Sequence, residues 1–151
     1  MSEADLVRTF PNLSSTHHRI TSQYDASYNC IAWAAEDDSL WWWPDAFGIY
    51  HWPEGVARAE TVDAFIEAYA TIGYEVCDNG DLEKSYNKLA IYIKPTTGRP
   101  SHAARQLDDG TWTSKLGKDI DIIHATTDGL NGQEYGHVST FLKRQKRRRR
   151  R

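Results

Sequence analysis

Cysteine is scarce in this 151-residue chain: only Cys30 and Cys77 occur, too few for a disulfide framework. Long apolar runs are missing as well. Charges interrupt every apolar stretch well before the roughly 18–20 residues that a membrane span requires. Zinc spacings are absent, with no Cys-x-x-Cys and no His-Glu-x-x-His, so His17, His18, His51, His124 and His137 read as surface or loop residues and no metal is expected. The Met-Ser-Glu-Ala-Asp start lacks the basic-then-apolar order of a signal peptide, which points to the cytoplasm. Five prolines and ten glycines against 40% hydrophobic residues exclude a disordered or collagen-like chain. There is no internal repeat, no helix-turn-helix or zinc-finger pattern, and nothing that implies a cofactor.

What is present suits one domain, since domains cluster near roughly 100–150 residues. The net charge of −3 conceals two parts. Eight of the 18 basic residues fall in the last nine positions, leaving a body with 10 basic and 21 acidic groups. The expected organisation is therefore an acidic domain over 1–142 and a basic, disordered tail over 143–151. Arg147–Arg151 suit a nucleic acid or an anionic surface.

Along the chain, the first ~25 residues read as an irregular lead-in with at most a short helix or strand. A helix is expected over Tyr28–Ala35, with Ser27 or Asn29 as its cap. The aromatic, proline-punctuated stretch from Trp41 to Gly55 reads as a long ordered loop. Thr61 caps an amphipathic helix in which Val62, Phe65, Ile66, Tyr69 and Ile72 recur at helical spacing, and Gly73 ends it. The period then changes to two. Strands are expected over 74–77, 88–93, 101–107 and 111–116, with a further short strand in 117–124. Residues 135–142 suit either a strand or a helix. Asp108-Asp109-Gly110 marks a hairpin turn. Pairing Leu107 with Thr111 puts His102, Gln106, Trp112 and Ser114 on one face, and Ala103, Arg105, Thr113 and Lys115 on the other. Helices first and an antiparallel meander after them make an α+β domain.

Cys30 and His102 form the informative pair. A cysteine in a first helical turn feels the positive end of the helix dipole, which favours the thiolate. A histidine on a neighbouring strand can take the thiol proton and return it to a leaving group. This order of Cys-helix, His-strand and polar-strand resembles the papain-like fold, closest to the NlpC-type and CHAP-type amidases and peptidases. His102-Ala-Ala-Arg-Gln-Leu-Asp-Asp-Gly-Thr-Trp-Thr-Ser114 matches their layout of histidine, tight turn and third polar residue. Asn29 stands where those families carry Asp, and no glycine follows Cys30. The strings Tyr-Asn-Cys-Ile-Ala-Trp-Ala, Trp-Trp-Trp-Pro, His-Ala-Ala-Arg-Gln and Trp-Thr-Ser-Lys-Leu-Gly resemble an uncharacterised bacterial family, a domain of unknown function.

The resemblance implies thiol-dependent hydrolysis or transfer at an amide bond of a peptide, isopeptide or peptidoglycan type. Cys30 is then the nucleophile and His102 the general base and acid, with Ser114 or, alternatively, Asp119 as the third member. Gln23, seven residues before Cys30, sits where papain-like enzymes carry an oxyanion-hole glutamine. Trp42, Trp43 and Trp112 are the candidate substrate-binding residues. The competing expectations are an inactive binding module of the same fold, acting through its aromatic loop, and a nucleic-acid-associated protein acting through the arginine tail.

Overall fold

The structure, a computed structural model, describes residues 1–147. Three short helices, α1 (Glu3–Thr9), α2 (Cys30–Ala34) and α3 (Val62–Ala70), accompany seven strands: β1 (His18–Ile20), β2 (Glu75–Cys77), β3 (Tyr86–Ile93), β4 (Pro100–Gln106), β5 (Trp112–Lys115), β6 (Asp121–His124) and β7 (His137–Gln145). All pair antiparallel in one sheet, in the order β1-β6-β5-β4-β3-β7-β2. The domain is thus α+β, and β3 through β6 form the expected meander. No helix among the described residues is long and apolar enough to cross a membrane.

The sheet is covered on both faces, so β3 is buried continuously from Lys88 to Tyr92 and not at alternate residues, as a period of two with one wet face would have it. On one face α2 and α3 place Ile31, Phe65 and Tyr69 against Leu89, Ile91, Ala103 and Leu142. On the other, α1 and a 3-10 turn at Pro11–Ser15 bring Leu6, Phe10 and Leu13 onto Ala90, Tyr92, Ala104 and Ile122. The lead-in is therefore more ordered than its composition suggests. A Ser2–Asp5 capping box starts α1, and β1 forms the edge beside β6.

The hairpin register holds: Arg105 pairs with Thr113 and Gln106 with Trp112, and Leu107 N–H donates to the Thr111 carbonyl at 2.7 Å. Residues 135–142 resolve in favour of a strand, and β7 runs on through Gln145, past the expected domain boundary at 142. Three basic residues assigned to the tail are instead held by the fold. Lys143 lies 3.9 Å from Glu83, Arg144 2.8 Å from Glu36 and Lys146 2.9 Å from Asp108. Of Arg147–Arg151, only Arg147 falls within the described residues, and its side chain is exposed.

Candidate functional site

The chain before α2 is shaped by Asn29. Its Oδ1 accepts the Ala32 N–H at 3.1 Å, capping α2, and also the Trp42 N–H at 3.1 Å, while its Nδ2 donates to the Trp42 carbonyl at 2.7 Å. One buried side chain thus caps the helix and fastens the tryptophan loop to it. Asn29→Ala is expected to cost about 2 kcal/mol, because a cap and two buried backbone partners are lost together. Urea denaturation checks this, and a change within experimental error would contradict it.

Above that junction lies a pocket of about 310 Å³. Trp41, Trp43, Tyr50 and Tyr135 contribute its aromatic walls, and Asn29, Cys30, Ser101 and Gly117 complete the lining. Lys115 braces it from beneath. Its Nζ donates to the carbonyls of Asp25 and Gly117, at 2.6 and 2.8 Å, and sits 4.6 Å from the centre of the Tyr28 ring. Tyr28 in turn donates to Asp121 at 2.8 Å. Lys115 is therefore spent on backbone and ring contacts. Tyr135 comes from the loop before β7, where Gly132 and Gly136 exchange two backbone hydrogen bonds of 2.9 and 2.8 Å. Its ring stacks on His102 with centroids 4.1 Å apart and planes 9° from parallel.

Cys30 and His102 are not brought together. Trp33 of α2 donates its indole N–H to Thr113 at 2.9 Å and lies under the Arg105 guanidinium, so α2 rests on the face carrying Ala103, Arg105 and Thr113. By the period of two, His102 points to the opposite face. There it packs edge-on to Tyr92 at 5.3 Å and under Tyr135, with both ring nitrogens buried and unpartnered. Burial, with His124 nearby, holds its pKa well below the ordinary histidine value. Burial likewise pushes the Cys30 thiol up to about 11, against weaker opposition from backbone N–H groups, that of Ala103 first, and from Lys115. The helix expected to favour the thiolate is only five residues long, so its dipole is small.

The other candidates are dispersed. Ser114 is buried on the His102 face, but its hydroxyl lies 2.8 Å from His124 Nε2, while His124 Nδ1 lies 2.7 Å from the Thr126 carbonyl. That carbonyl fixes the proton on Nδ1, so Ser114 donates to Nε2 and orients His124, not His102. Asp119 binds the Met1 ammonium at 2.9 Å. Gln23 is exposed and does not line the pocket. Trp42 is buried with its indole N–H on Asp37, and Trp112 packs against Phe141 in the opposite core. Of the three tryptophans expected to touch substrate, Trp43 alone lines the pocket.

Tyr135 and Ser101 were not anticipated as site residues. The Gly132-Gln-Glu-Tyr-Gly136 string signals a tight glycine-bounded loop, but not what the tyrosine would cover. Among the described residues no three His, Cys, Asp or Glu side chains converge as metal ligands. A profile of the family described as a domain of unknown function, DUF7689, matches residues 19–143. No curated protein matches the chain. No solved structure matches it.

Proposed function

We propose that this chain, which belongs to the DUF7689 family, is a binding module that receives a planar apolar side chain of a polypeptide in the pocket over Cys30. The observation that carries this reading is the pocket itself, in which four aromatic rings stand over a thiol with no imidazole hydrogen-bonded to it. Rings of this kind bury large apolar area at low entropic cost. A papain-like scaffold remains part of the proposal, supported by the order of a helix opening with cysteine, a strand carrying histidine and an antiparallel meander. On this reading the scaffold is kept without its dyad, since a thiol hydrolase needs a thiolate and a proton acceptor within reach. Two free thiols, Cys30 and Cys77, suit the reducing cytoplasm inferred from the sequence. Binding of nucleic acid through the arginine tail rests mainly on residues 148–151, outside the described part.

The test is a titration of N-acetyl-L-phenylalaninamide, followed by tryptophan fluorescence. A probe of this size should bind with Kd on the order of 1 mM. Trp43→Ala should weaken it at least about 10-fold, whereas Cys30→Ala should leave it within about 3-fold. No saturable signal, or binding untouched by Trp43→Ala, would overturn the reading.

A further inference from the structure

The pocket has an unusual neighbour on its own loop. Leu40 to Trp52 contains one charged residue, Asp45, in an otherwise apolar and aromatic stretch. The loop's neck is closed by Trp43 N–H on the His51 carbonyl and His51 N–H on the Trp41 carbonyl, both at 3.0 Å. Its tip is built around Asp45, whose carboxylate accepts the N–H groups of Ile49 at 2.8 Å and Tyr50 at 3.0 Å. Arg58 closes the turn, donating to Asp45 at 3.2 Å and to the Tyr50 carbonyl at 3.1 Å. Gly48, at φ +68°, allows the reversal.

This scaffold holds Phe47 89% exposed and Ile49 73% exposed. Loops that merely connect elements are polar, whereas here hydrogen bonds and an ion pair fix two large apolar side chains in water. With Leu40 and Tyr50, which are also exposed, the loop offers on the order of 500 Å² of apolar surface. That is the size of the apolar centre of an interface burying about 800 Å² per partner.

We infer that the occupant of this surface is a second copy of the chain, with the Phe47 tip of each protomer entering the aromatic pocket of the other. The inference rests on the pocket reading above. Knob and hole adjoin one another, since Tyr50 ends the tip and walls the pocket. A two-fold axis beside Tyr50 therefore matches each knob to the partner's hole, the self-complementarity that an isologous interface requires. At the tip itself charge does not oppose it, because Arg58 neutralises Asp45, the loop's one carboxylate. Apolar tips then leave water on both sides at once.

Sedimentation velocity from about 5 to about 500 µM tests this, with the phenylalaninamide titration run on the same samples. The wild type should move from monomer towards dimer as concentration rises, and saturating N-acetyl-L-phenylalaninamide should reverse the shift. Phe47→Ser, at a site with almost no core contact, should remain monomeric and still bind the probe. Trp43→Ala should lose both properties. A wild type that stays monomeric throughout while binding the probe would overturn the dimer and leave the pocket reading standing. Dimerisation surviving Phe47→Ser would also overturn it. Failure of the probe to bind the monomeric Phe47→Ser variant would instead remove the pocket reading.

Discussion

Gly136→Ala is expected to destabilise the protein by at least about 3 kcal/mol and to abolish probe binding. Gly136 has φ +76°, in the left-handed region that residues with a Cβ rarely adopt. A Cβ placed there would also collide with the Ile93 carbonyl oxygen on β3. Backbone of β3 cannot retreat without breaking its ladder with β4 and β7. The 132–136 loop would have to open, taking Tyr135 off His102 and out of the pocket wall. Urea denaturation and the phenylalaninamide titration measure the two effects separately. A Gly136→Ala variant within about 1 kcal/mol of wild type would show that the loop does not hold Tyr135 as described.

Acidification should destabilise the protein in the window from about pH 6.5 to about pH 4. His124 is pushed down to about 4 by burial, from an ordinary 6.5, and His102 is depressed in the same direction. Between those values the unfolded chain binds a proton that the folded imidazole refuses, so stability rises with pH across the window and is complete above 6.5. For His124 the loss on going from pH 7 to pH 5 is on the order of 2 kcal/mol, with His102 adding to it. His18 acts in the opposite sense. Desolvation opposes its charged form, but hydrogen bonds to the Thr16 carbonyl and Glu3 together outweigh that and raise its pKa, so its contribution is present below 6.5 and fades as pH rises. Depressed carboxylates such as Asp37 and Glu83 add acid lability only below the ordinary carboxylate range. His102→Phe should stabilise the protein at pH 7 by about 1 kcal/mol, since two unpartnered buried nitrogens disappear and the stack on Tyr135 persists. The variant should also lose less stability between pH 7 and pH 5. Thermal melts across that range provide the check, and a wild type equally stable at both ends would contradict the account.

The sequence carried much of the sheet and less of the site. The hairpin register could be read because Asp108-Asp109-Gly110 fixes the turn, and alternation then assigns the side chains of β5, and of β4 from His102 to Gln106, to a face. The same arithmetic put His102 and Ser114 together on one face. Which face α2 would cover is a tertiary fact, decided by Trp33 meeting Thr113 and Arg105. That choice separates Cys30 from His102. The Trp41–Trp43 run also divides in a way its composition does not specify. Trp42 turns inward because Asn29 binds its backbone and Asp37 its indole, leaving Trp41 and Trp43 to the pocket. Lys143, Arg144 and Lys146 look like the start of a basic tail until Glu83, Glu36 and Asp108 are placed opposite them across long stretches of chain.

Whether Cys30 is a neutral thiol in a binding pocket is read from the rate of its alkylation against pH. Iodoacetamide labelling read by peptide mass spectrometry, with half-buried Cys77 as the internal standard, gives the profile in wild type and His102→Ala. Cys30 should be modified slowly at neutral pH, at a rate that climbs about tenfold per pH unit and levels off only near pH 11, with the same profile in both proteins. Rapid thiolate-like modification of Cys30 below about pH 8, lost in His102→Ala, would contradict a neutral thiol and restore a thiol–imidazole pair as the working part of the molecule.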